Sequence, residues 1–187
     1  CEEWVGPGLY SEDLRQAAIS HLGGLGHEQA AVVNRTSAGI VAAILALSDG
    51  RPVVSLVPDG DRSHASVGRG ARLAGVPVIE VYELPELKKV LEARLPALTI
   101  ITTVTSELAV LPDSLTLQAV RLAKAAKSRV LLDEAYGARF RPVLHEGAPS
   151  LSFGADLVIT NTDKAGLLGP RSGVLCGEAD TLVAVAA

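Results

Sequence analysis

The chain has 187 residues, of which 48% are hydrophobic and only 3% are aromatic, and its formal net charge is −4 at pH 7. This length is enough for one domain with a sizeable core, and no apolar run is long enough to span a membrane. The slightly negative charge gives no general affinity for nucleic acid, and the absence of a visible secretory leader predicts a cytoplasmic location.

The cysteines do not form a metal-binding pattern. Cys1 and Cys176 lie far apart, and neither has a histidine or a second cysteine at the spacing of zinc ligands. We therefore expect no metal site. Because Cys176 lies in an apolar run, we expect it to be a buried thiol.

Segments typical of strands alternate with segments typical of helices along the chain. The predicted strands are residues 30–33, 52–57, 76–82, 98–104, 129–132, 157–159 and 172–177. The predicted helices are residues 11–22, 40–47, 63–74, 85–91 and 113–127 and a C-terminal segment from Glu178. Ser11 is the expected N-cap of the first helix, and a loop containing Phe140, Pro142 and Pro149 is expected before the sixth strand. This alternation predicts a single α/β domain over residues 1–187, a three-layer sandwich with a mostly parallel, doubly wound sheet.

Ligands of open parallel sheets bind beyond the carboxyl ends of the strands, and the first polar group at such a position is residues 34–39. Its sequence, Asn-Arg-Thr-Ser-Ala-Gly, joins a predicted strand to a predicted helix. Small residues at a helix N-terminus leave backbone N–H groups free, which favours a phosphate. Neither the P-loop pattern nor the dinucleotide-binding glycine pattern is present. Simple N-capping by Thr36 or Ser37 is the alternative interpretation.

The second polar group is Asp133, which directly follows the predicted strand at residues 129–132. A carboxylate at this place is removed from water and needs a cationic or strongly donating partner. A protonated ring nitrogen, a metal ion or a structural arginine would each serve. Tyr136 follows three residues later, close enough to donate to the same ligand, and Glu134 is interpreted as a solvated neighbour.

The third and fourth groups are centred on His64 and Lys164, each of which follows a predicted strand. His64 could stack on a planar ligand, although a lone histidine is more often a surface or capping residue. Lys164 has the small polar neighbours Asn161 and Thr162, a placement that suits a lysine that must reach a bound carbonyl compound and lose its proton. An ordinary exposed lysine is the alternative. Arg171 could bind a phosphate with two hydrogen bonds, or form a surface salt bridge.

These groups, in this order, resemble the pyridoxal phosphate enzymes of fold type I over nearly the whole chain. Asp133 and Tyr136 reproduce the Asp-x-x-Tyr spacing of that family, which implies partners for the pyridine nitrogen and the phenolic oxygen of the cofactor. Lys164 matches the Schiff-base lysine, so the resemblance implies that Lys164 and Asp133 are catalytic. The segment Arg171-Ser172-Gly173 resembles the Arg-x-Gly that follows this lysine in aminotransferases.

The resemblance also assigns roles to the remaining groups. It implies that residues 36–38 bind the phosphate, that His64 stacks on the ring and that Thr105 lies near the ring oxygen. Asn161 holds the position, three before the lysine, that often carries a phosphate-binding serine. The implied cofactor-binding residues are Thr36, Ser37, Ala38, His64, Thr105, Asp133, Tyr136, Asn161, Thr162, Lys164 and Arg171.

Within this fold, residues 34–40 and 162–173 look most like the archaeal proteins related to selenocysteine synthase, L-seryl-tRNA(Sec) selenium transferase. In that synthase and in cysteine desulfurases the residue before the lysine is usually histidine, whereas here it is Asp163. The resemblance implies pyridoxal 5'-phosphate as the cofactor and a transferase that acts on an amino acid or aminoacyl substrate, with β-replacement as the first expectation. Aminotransferase or cysteine desulfurase-like lyase activity is the second.

The resemblance implies a homo-oligomer and a smaller C-terminal domain that this chain lacks. A tRNA partner is compatible with the synthase resemblance but is not indicated by the charge. The residues leave open a different class of function: a binding domain that kept the fold without catalysis, or a nucleotide-binding α/β domain.

Overall fold

The computed structural model describes residues 5–58 and 61–187, so Cys1 lies outside the described residues. The strands are β1 (Gln29–Val33), β2 (Val53–Leu56), β3 (Val78–Val81), β4 (Leu98–Thr102), β5 (Arg129–Asp133), β6 (Leu157–Asn161) and β7 (Gly173–Gly177). They form a seven-stranded sheet in the order β1-β7-β6-β5-β4-β2-β3. Strand β7 is antiparallel to both of its neighbours, and the remaining pairs are parallel. The predicted mostly parallel sheet is confirmed.

Helices cover both faces of this sheet. They are α1 (Val5–His21), α2 (Thr36–Leu47), α3 (Ala65–Ala74), α4 (Leu84–Arg94), α5 (Asp113–Ala125), α6 (Gly137–His145) and α7 (Ala179–Ala186), with a 3₁₀ turn at Ser150–Phe153. Neighbouring residues of β5 show the layering, because side chains alternate between the faces of a strand. Leu132 packs in one core with Val120 of α5, whereas Leu131 packs in the opposite core with Ile44 of α2. The predicted three-layer sandwich is therefore confirmed.

The predicted start of the first helix is wrong. Ser11 lies inside α1, which already begins at Val5. A proline at residue 7 is compatible with this start, because the first N–H groups of a helix have no partner within the helix. The acidic residues after Ser11 that suggested a first turn belong to the interior of the helix.

The predicted loop around Phe140 and Pro142 is also wrong, because both residues belong to α6. Pro142 lacks the N–H of an ordinary helical residue, so it breaks the hydrogen-bond ladder without ending this short helix. The helix stops at Glu146, whose φ of 51° is left-handed. The buried side chain of Arg141 secures its second half, as described below.

Three further observations concern the described residues as a group. None of their helices combines the length and the apolar character that crossing a membrane would require. They contain no group of three or more His, Cys, Asp or Glu side chains placed to hold a metal ion. Cys176 is buried in β7, as predicted, and burial raises the pKa of its thiol to about 12.

Candidate functional site

A cavity opens beyond the carboxyl ends of β4, β5 and β6, beside the first turns of α2 and α3. It is lined by Thr36, Ser37, Ile40, Asp61, Arg62, His64, Thr102, Val104, Thr105, Ser106, Asp133, Ala135, Tyr136 and Lys164. Most of the predicted site residues are therefore brought together at the edge where ligands of parallel sheets bind.

Asp133 ends β5 and is buried at the floor of this cavity. One carboxylate oxygen accepts a hydrogen bond of 3.2 Å from the backbone N–H of Ala135. Burial raises the pKa of Asp133 to about 6, against the opposing effects of the Ala135 N–H and the charge of Lys164. The protein alone thus compensates the buried charge of the Asp133 carboxylate only in part, and a cationic ligand would stabilise the ionised carboxylate further.

Lys164 lies three residues after β6 and points its amine towards the same cavity. Its Nζ lies 4.7 Å from the centroid of the Tyr136 ring, within the range of a cation–π contact. Its backbone N–H donates to the side-chain oxygen of Asn161 at 3.0 Å. The lysine is therefore held at both ends, and it is half-buried rather than extended into solvent.

His64 is the N-cap of α3, and the hydrogen bond between its ring and the backbone of that helix fixes the ring. Its Nδ1 accepts from the backbone N–H of Ser66 at 3.3 Å and lies 2.7 Å from the Ser66 hydroxyl. The neutral ring consequently carries its proton on Nε2. Burial, with the nearby charges of Lys164 and Arg69, lowers the pKa of His64, which favours a neutral ring that can stack on a planar ligand.

The N-terminus of α2 forms another wall of the cavity. The helix begins at Thr36, earlier than predicted, and its N-cap is Arg35, whose side chain makes no capping hydrogen bond. Capping by Thr36 or Ser37, the alternative interpretation, is therefore wrong. Gly173 of β7 allows the close approach of this helix, since a Cβ there would lie 2.7 Å from the backbone nitrogen of Thr36. Both hydroxyl residues line the cavity at the positive end of the helix dipole.

A second pocket shares Thr36, Ser37 and Lys164 with this cavity. It is lined by Arg35, Thr36, Ser37, Asp163, Lys164, Arg171 and Ser172. The Nε atom of Arg171 lies 3.6 Å from a carboxylate oxygen of Asp163, and the Arg171 side chain is 72% exposed. Arg171 therefore forms the surface salt bridge that was the alternative interpretation, although it remains close to the N-terminus of α2.

The side chains of Asn161 and Thr162 do not line the main cavity. The amide nitrogen of Asn161 donates to the carbonyl of Ala135 at 2.7 Å, and its oxygen accepts from the backbone of Lys164. The hydroxyl of Thr162 bonds to the carbonyl of Pro170 and lies 2.9 Å from the Ser172 hydroxyl. Both side chains therefore hold the turn that carries the lysine. Ala38 is exposed in the first turn of α2 and is likewise outside the lining.

Comparison with known proteins identifies the family. Residues 5–186 match the family Aminotransferase class I and II. The chain belongs to this family. It is 36% identical over 179 residues to a UPF0425 pyridoxal phosphate-dependent protein of Methanococcus maripaludis, covering 95% of this chain and 49% of the relative. The chain thus spans about half the length of the curated relatives that it matches.

Two solved structures share the fold at low sequence identity. One is a histidinol-phosphate aminotransferase from Clostridium acetobutylicum, with a TM-score of 0.75 and 15% identity over 95% of this chain and 53% of that chain. The other belongs to a complex of SepCysS with the SepCysE N-terminal domain, with a TM-score of 0.73 and 19% identity over 93% of this chain and 47% of that chain. Both likenesses concern the fold alone.

In this aminotransferase-family domain, Glu134 differs from its prediction as a solvated neighbour. The side chain is fully buried and forms an ion pair with Arg141, while Thr103 donates to its second oxygen at 2.8 Å. A Cβ on Gly137 would lie 1.9 Å from that oxygen, so glycine is required at the start of α6. Glu134 therefore anchors α6 beneath the cavity, and the prediction is wrong.

Thr102 is a cavity residue that sequence reasoning missed. It is the register partner of Asp133 in the neighbouring strand and is only 6% exposed. Its hydroxyl is buried and finds no hydrogen-bond partner among the described residues. Buried polar atoms are nearly always paired, so this hydroxyl is free to bond to a ligand or a water molecule beside Asp133. Its position at a strand end, one strand from Asp133, was the available signal.

Proposed function

We propose that this chain is the cofactor-binding domain of a pyridoxal phosphate-dependent transferase that acts on an amino acid or aminoacyl substrate. The observation that carries the proposal is the convergence of Lys164, Asp133 and His64 in one cavity with the N-terminus of α2. The pyridoxal phosphate-dependent relatives, which share about a third of their residues with this chain over nearly its full length, support the cofactor.

The groups in the cavity fit the chemical parts of pyridoxal phosphate. Asp133 is a buried carboxylate whose charge Lys164 compensates only in part, and a protonated pyridine nitrogen would supply a further cation. The α2 N-terminus at Thr36 and Ser37 offers N–H groups and hydroxyls to the phosphate. His64 offers a fixed ring for stacking. Lys164 supplies the primary amine that holds the aldehyde covalently, with loss of water. The unpaired Thr102 hydroxyl adds a donor at the ring.

When bound, pyridoxal phosphate supplies a ring that accepts electrons from the substrate carbon. The protein residues set the conditions for this. Asp133 would hold the ring nitrogen: its pKa of about 6 leaves the carboxyl mostly ionised at neutral pH, and a cationic partner would bring that pKa back towards its ordinary value. Lys164 would hold the cofactor through its Nζ, and the same amine would move a proton to or from the substrate α-carbon. The Tyr136 ring keeps the lysine amine over the cavity.

The first candidate reaction is group exchange at the β-carbon of a seryl or cysteinyl substrate, as in selenocysteine synthase. The second is transamination or desulfuration. Asp163 replaces the histidine that usually precedes the lysine in the synthase and in the desulfurases, which argues against chemistry that relies on that histidine. The carboxylate of Asp163 pairs with Arg171 at 3.6 Å. We also propose that the whole protein forms a homo-oligomer.

Reduction with borohydride tests the cofactor assignment. We expect the full-length protein to develop a visible absorbance band with pyridoxal phosphate, and borohydride to fix the phosphopyridoxyl group on the peptide that contains Lys164. Lys164→Ala should abolish both, whereas Lys89→Ala, which removes an exposed lysine of α4, should change neither. A label distributed over surface lysines, or no band in the wild-type protein, would overturn the proposal.

Substrate assays separate the two candidate reactions. β-Replacement predicts that an O-activated serine and a sulfur nucleophile give cysteine, with release of the serine leaving group. Transamination predicts that an amino acid and a 2-oxo acid exchange their amino group, with no loss at the β-carbon. If only the products of transamination form, transamination becomes the proposed reaction in place of β-replacement.

A further inference from the structure

Arg139 of α6 forms a cluster of contacts with the turn that carries Lys164, and the cofactor assignment gives it no role. The side chain is only 9% exposed. Its Nε and Nη2 donate to the carbonyl of Lys164 at 3.2 and 2.8 Å. Its Nη1 and Nη2 donate to the backbone and side-chain oxygens of Asn161 at 3.3 and 3.2 Å. The guanidinium therefore spans the turn from the end of β6 to the lysine.

Burial of this charge is costly for the fold. The acceptors that Arg139 reaches among the described residues are neutral: two carbonyls, one amide oxygen and the His21 imidazole at 3.2 Å. Burial lowers the pKa of Arg139, and the charge of the nearby Asp163 opposes that effect. A buried charge with mainly neutral partners contributes less stability than an apolar side chain of similar size. The position of Arg139 is thus better explained by the turn that it holds.

The held turn has an unusual backbone. Ala165 and Gly166, which follow the lysine, have φ values of 51° and 90°. A left-handed conformation is unfavourable for alanine, so the turn needs outside contacts to keep its shape. Arg139 provides them at the carbonyl of Lys164, and Asn161 provides one at its N–H.

The start of α6, which carries Arg139, also contacts the side-chain amine of Lys164. Tyr136, the N-cap of α6, contacts the amine, and Arg139 lies one helical turn further on. We propose that Arg139 is a positioning residue, which fixes the backbone of Lys164 so that its amine reaches the aldehyde of the cofactor. This inference rests on the proposed function. It also gives Asp163 a role as the nearby negative charge that offsets part of the cost of burying Arg139.

The test compares Arg139→Ala and Arg139→Lys with two control variants. His21→Ala removes one acceptor of Arg139 but leaves the four bonds to the turn. Arg121→Ala removes an exposed arginine of α5. Hydrogen exchange of the cofactor-free protein reports the turn directly, through the N–H groups of Lys164 and Leu167. Titration with pyridoxal phosphate, followed by absorbance, reports the affinity of the covalent adduct.

We expect Arg139→Ala to accelerate exchange at residues 162–168 and to weaken cofactor binding about tenfold or more, because small displacements of a reacting group have large effects. Arg139→Lys keeps the charge but cannot bond to both oxygens in one plane, so a smaller loss is expected. If Arg139→Ala fails to fold, Arg139→Lys carries the test. Both controls should behave like the wild-type protein.

Two results would overturn the inference. In the first, the folded Arg139 variants exchange faster throughout the sheet and not selectively in the turn, and they bind the cofactor with wild-type affinity. Arg139 would then serve stability alone, and the proposed function would stand. In the second, the wild-type protein also forms no adduct, which would overturn the proposed function together with this inference.

Discussion

Asp133 and Arg139 are charged residues that the protein buries at the candidate site with incomplete compensation. The Asp133 carboxylate accepts one hydrogen bond from a backbone N–H, and the Arg139 guanidinium donates mainly to neutral acceptors. Such residues lower the stability of the folded protein in the absence of a ligand. Active sites commonly show this conflict, because groups that are arranged for a reaction are not arranged for the fold alone. The resulting loss of stability can be measured in the cofactor-free protein.

Asp133→Asn should stabilise the cofactor-free protein, and more so at high pH. The folded-state pKa of Asp133, about 6, lies above its ordinary value of 3.8, so folding favours the protonated carboxyl. The contribution of Asp133 to stability is therefore complete below about pH 4 and is lost as the pH rises through about 6. Between about pH 5 and about pH 8 the advantage of the variant should grow by about 1–2 kcal/mol.

Urea unfolding of both proteins at the two pH values checks this prediction. The comparison cancels other titrating groups, because they are common to the wild type and the variant. An advantage that does not change with pH would mean that the Asp133 carboxyl is not destabilised by its burial.

At the scale of elements, α6 connects the sheet to the lysine. Tyr136 and Arg139 contact Lys164 from its first turn, while Arg141 in its next turn forms an ion pair with Glu134. Arg141 also bonds to a carboxylate oxygen of Asp113 at 2.7 Å. The helix has only nine residues and contains a proline, so these buried contacts rather than helix propensity determine its position.

Glu134→Gln should destabilise the protein by about 3 kcal/mol, because it leaves part of a buried guanidinium charge without its partner. Glu92→Gln is the matched control: it breaks the exposed pair of Glu92 with Lys88 in α4, which is worth less than about 1 kcal/mol. The double variant Glu134→Gln with Arg141→Met should lose less than the sum of the single variants. Equal losses for Glu134→Gln and Glu92→Gln in denaturant unfolding would contradict the assigned role of the buried pair.

The elements also show how far the sequence predicts this molecule. The aliphatic strands and most helices were predicted, because alternation and periodicity are local properties. Helix α6 was not, since Pro142 indicates a loop and the contacts of Arg141 come from distant residues. The site shows the same division. The convergence of Asp133 and Lys164 follows from the ends of parallel strands, whereas the hold of Arg139 on the lysine turn depends on packing between separate elements.

At the scale of the whole molecule, the cavity exists only in the folded chain. Its walls come from Thr36 at the start of α2, from the ends of β4 and β5, and from Lys164 beyond β6. These segments are far apart in sequence and are brought together by the order of the strands. The unfolded chain has no equivalent site, so a ligand of this cavity must stabilise the entire domain.

We therefore expect pyridoxal phosphate to raise the free energy of unfolding of the full-length protein. At about one hundred times the dissociation constant, the expected increase is about 2.7 kcal/mol. Lys164→Ala should lose most of this increase, because the proposed function places the covalent bond at Lys164, whereas Lys89→Ala should keep it. Thermal and urea unfolding with and without the cofactor provide the measurement. Equal stabilisation of the wild type and Lys164→Ala would mean that the ligand binds without the lysine. Since the proposed function gives Asp133 a cationic partner in the complex, the pH dependence predicted for the cofactor-free protein should also weaken when the cofactor is bound.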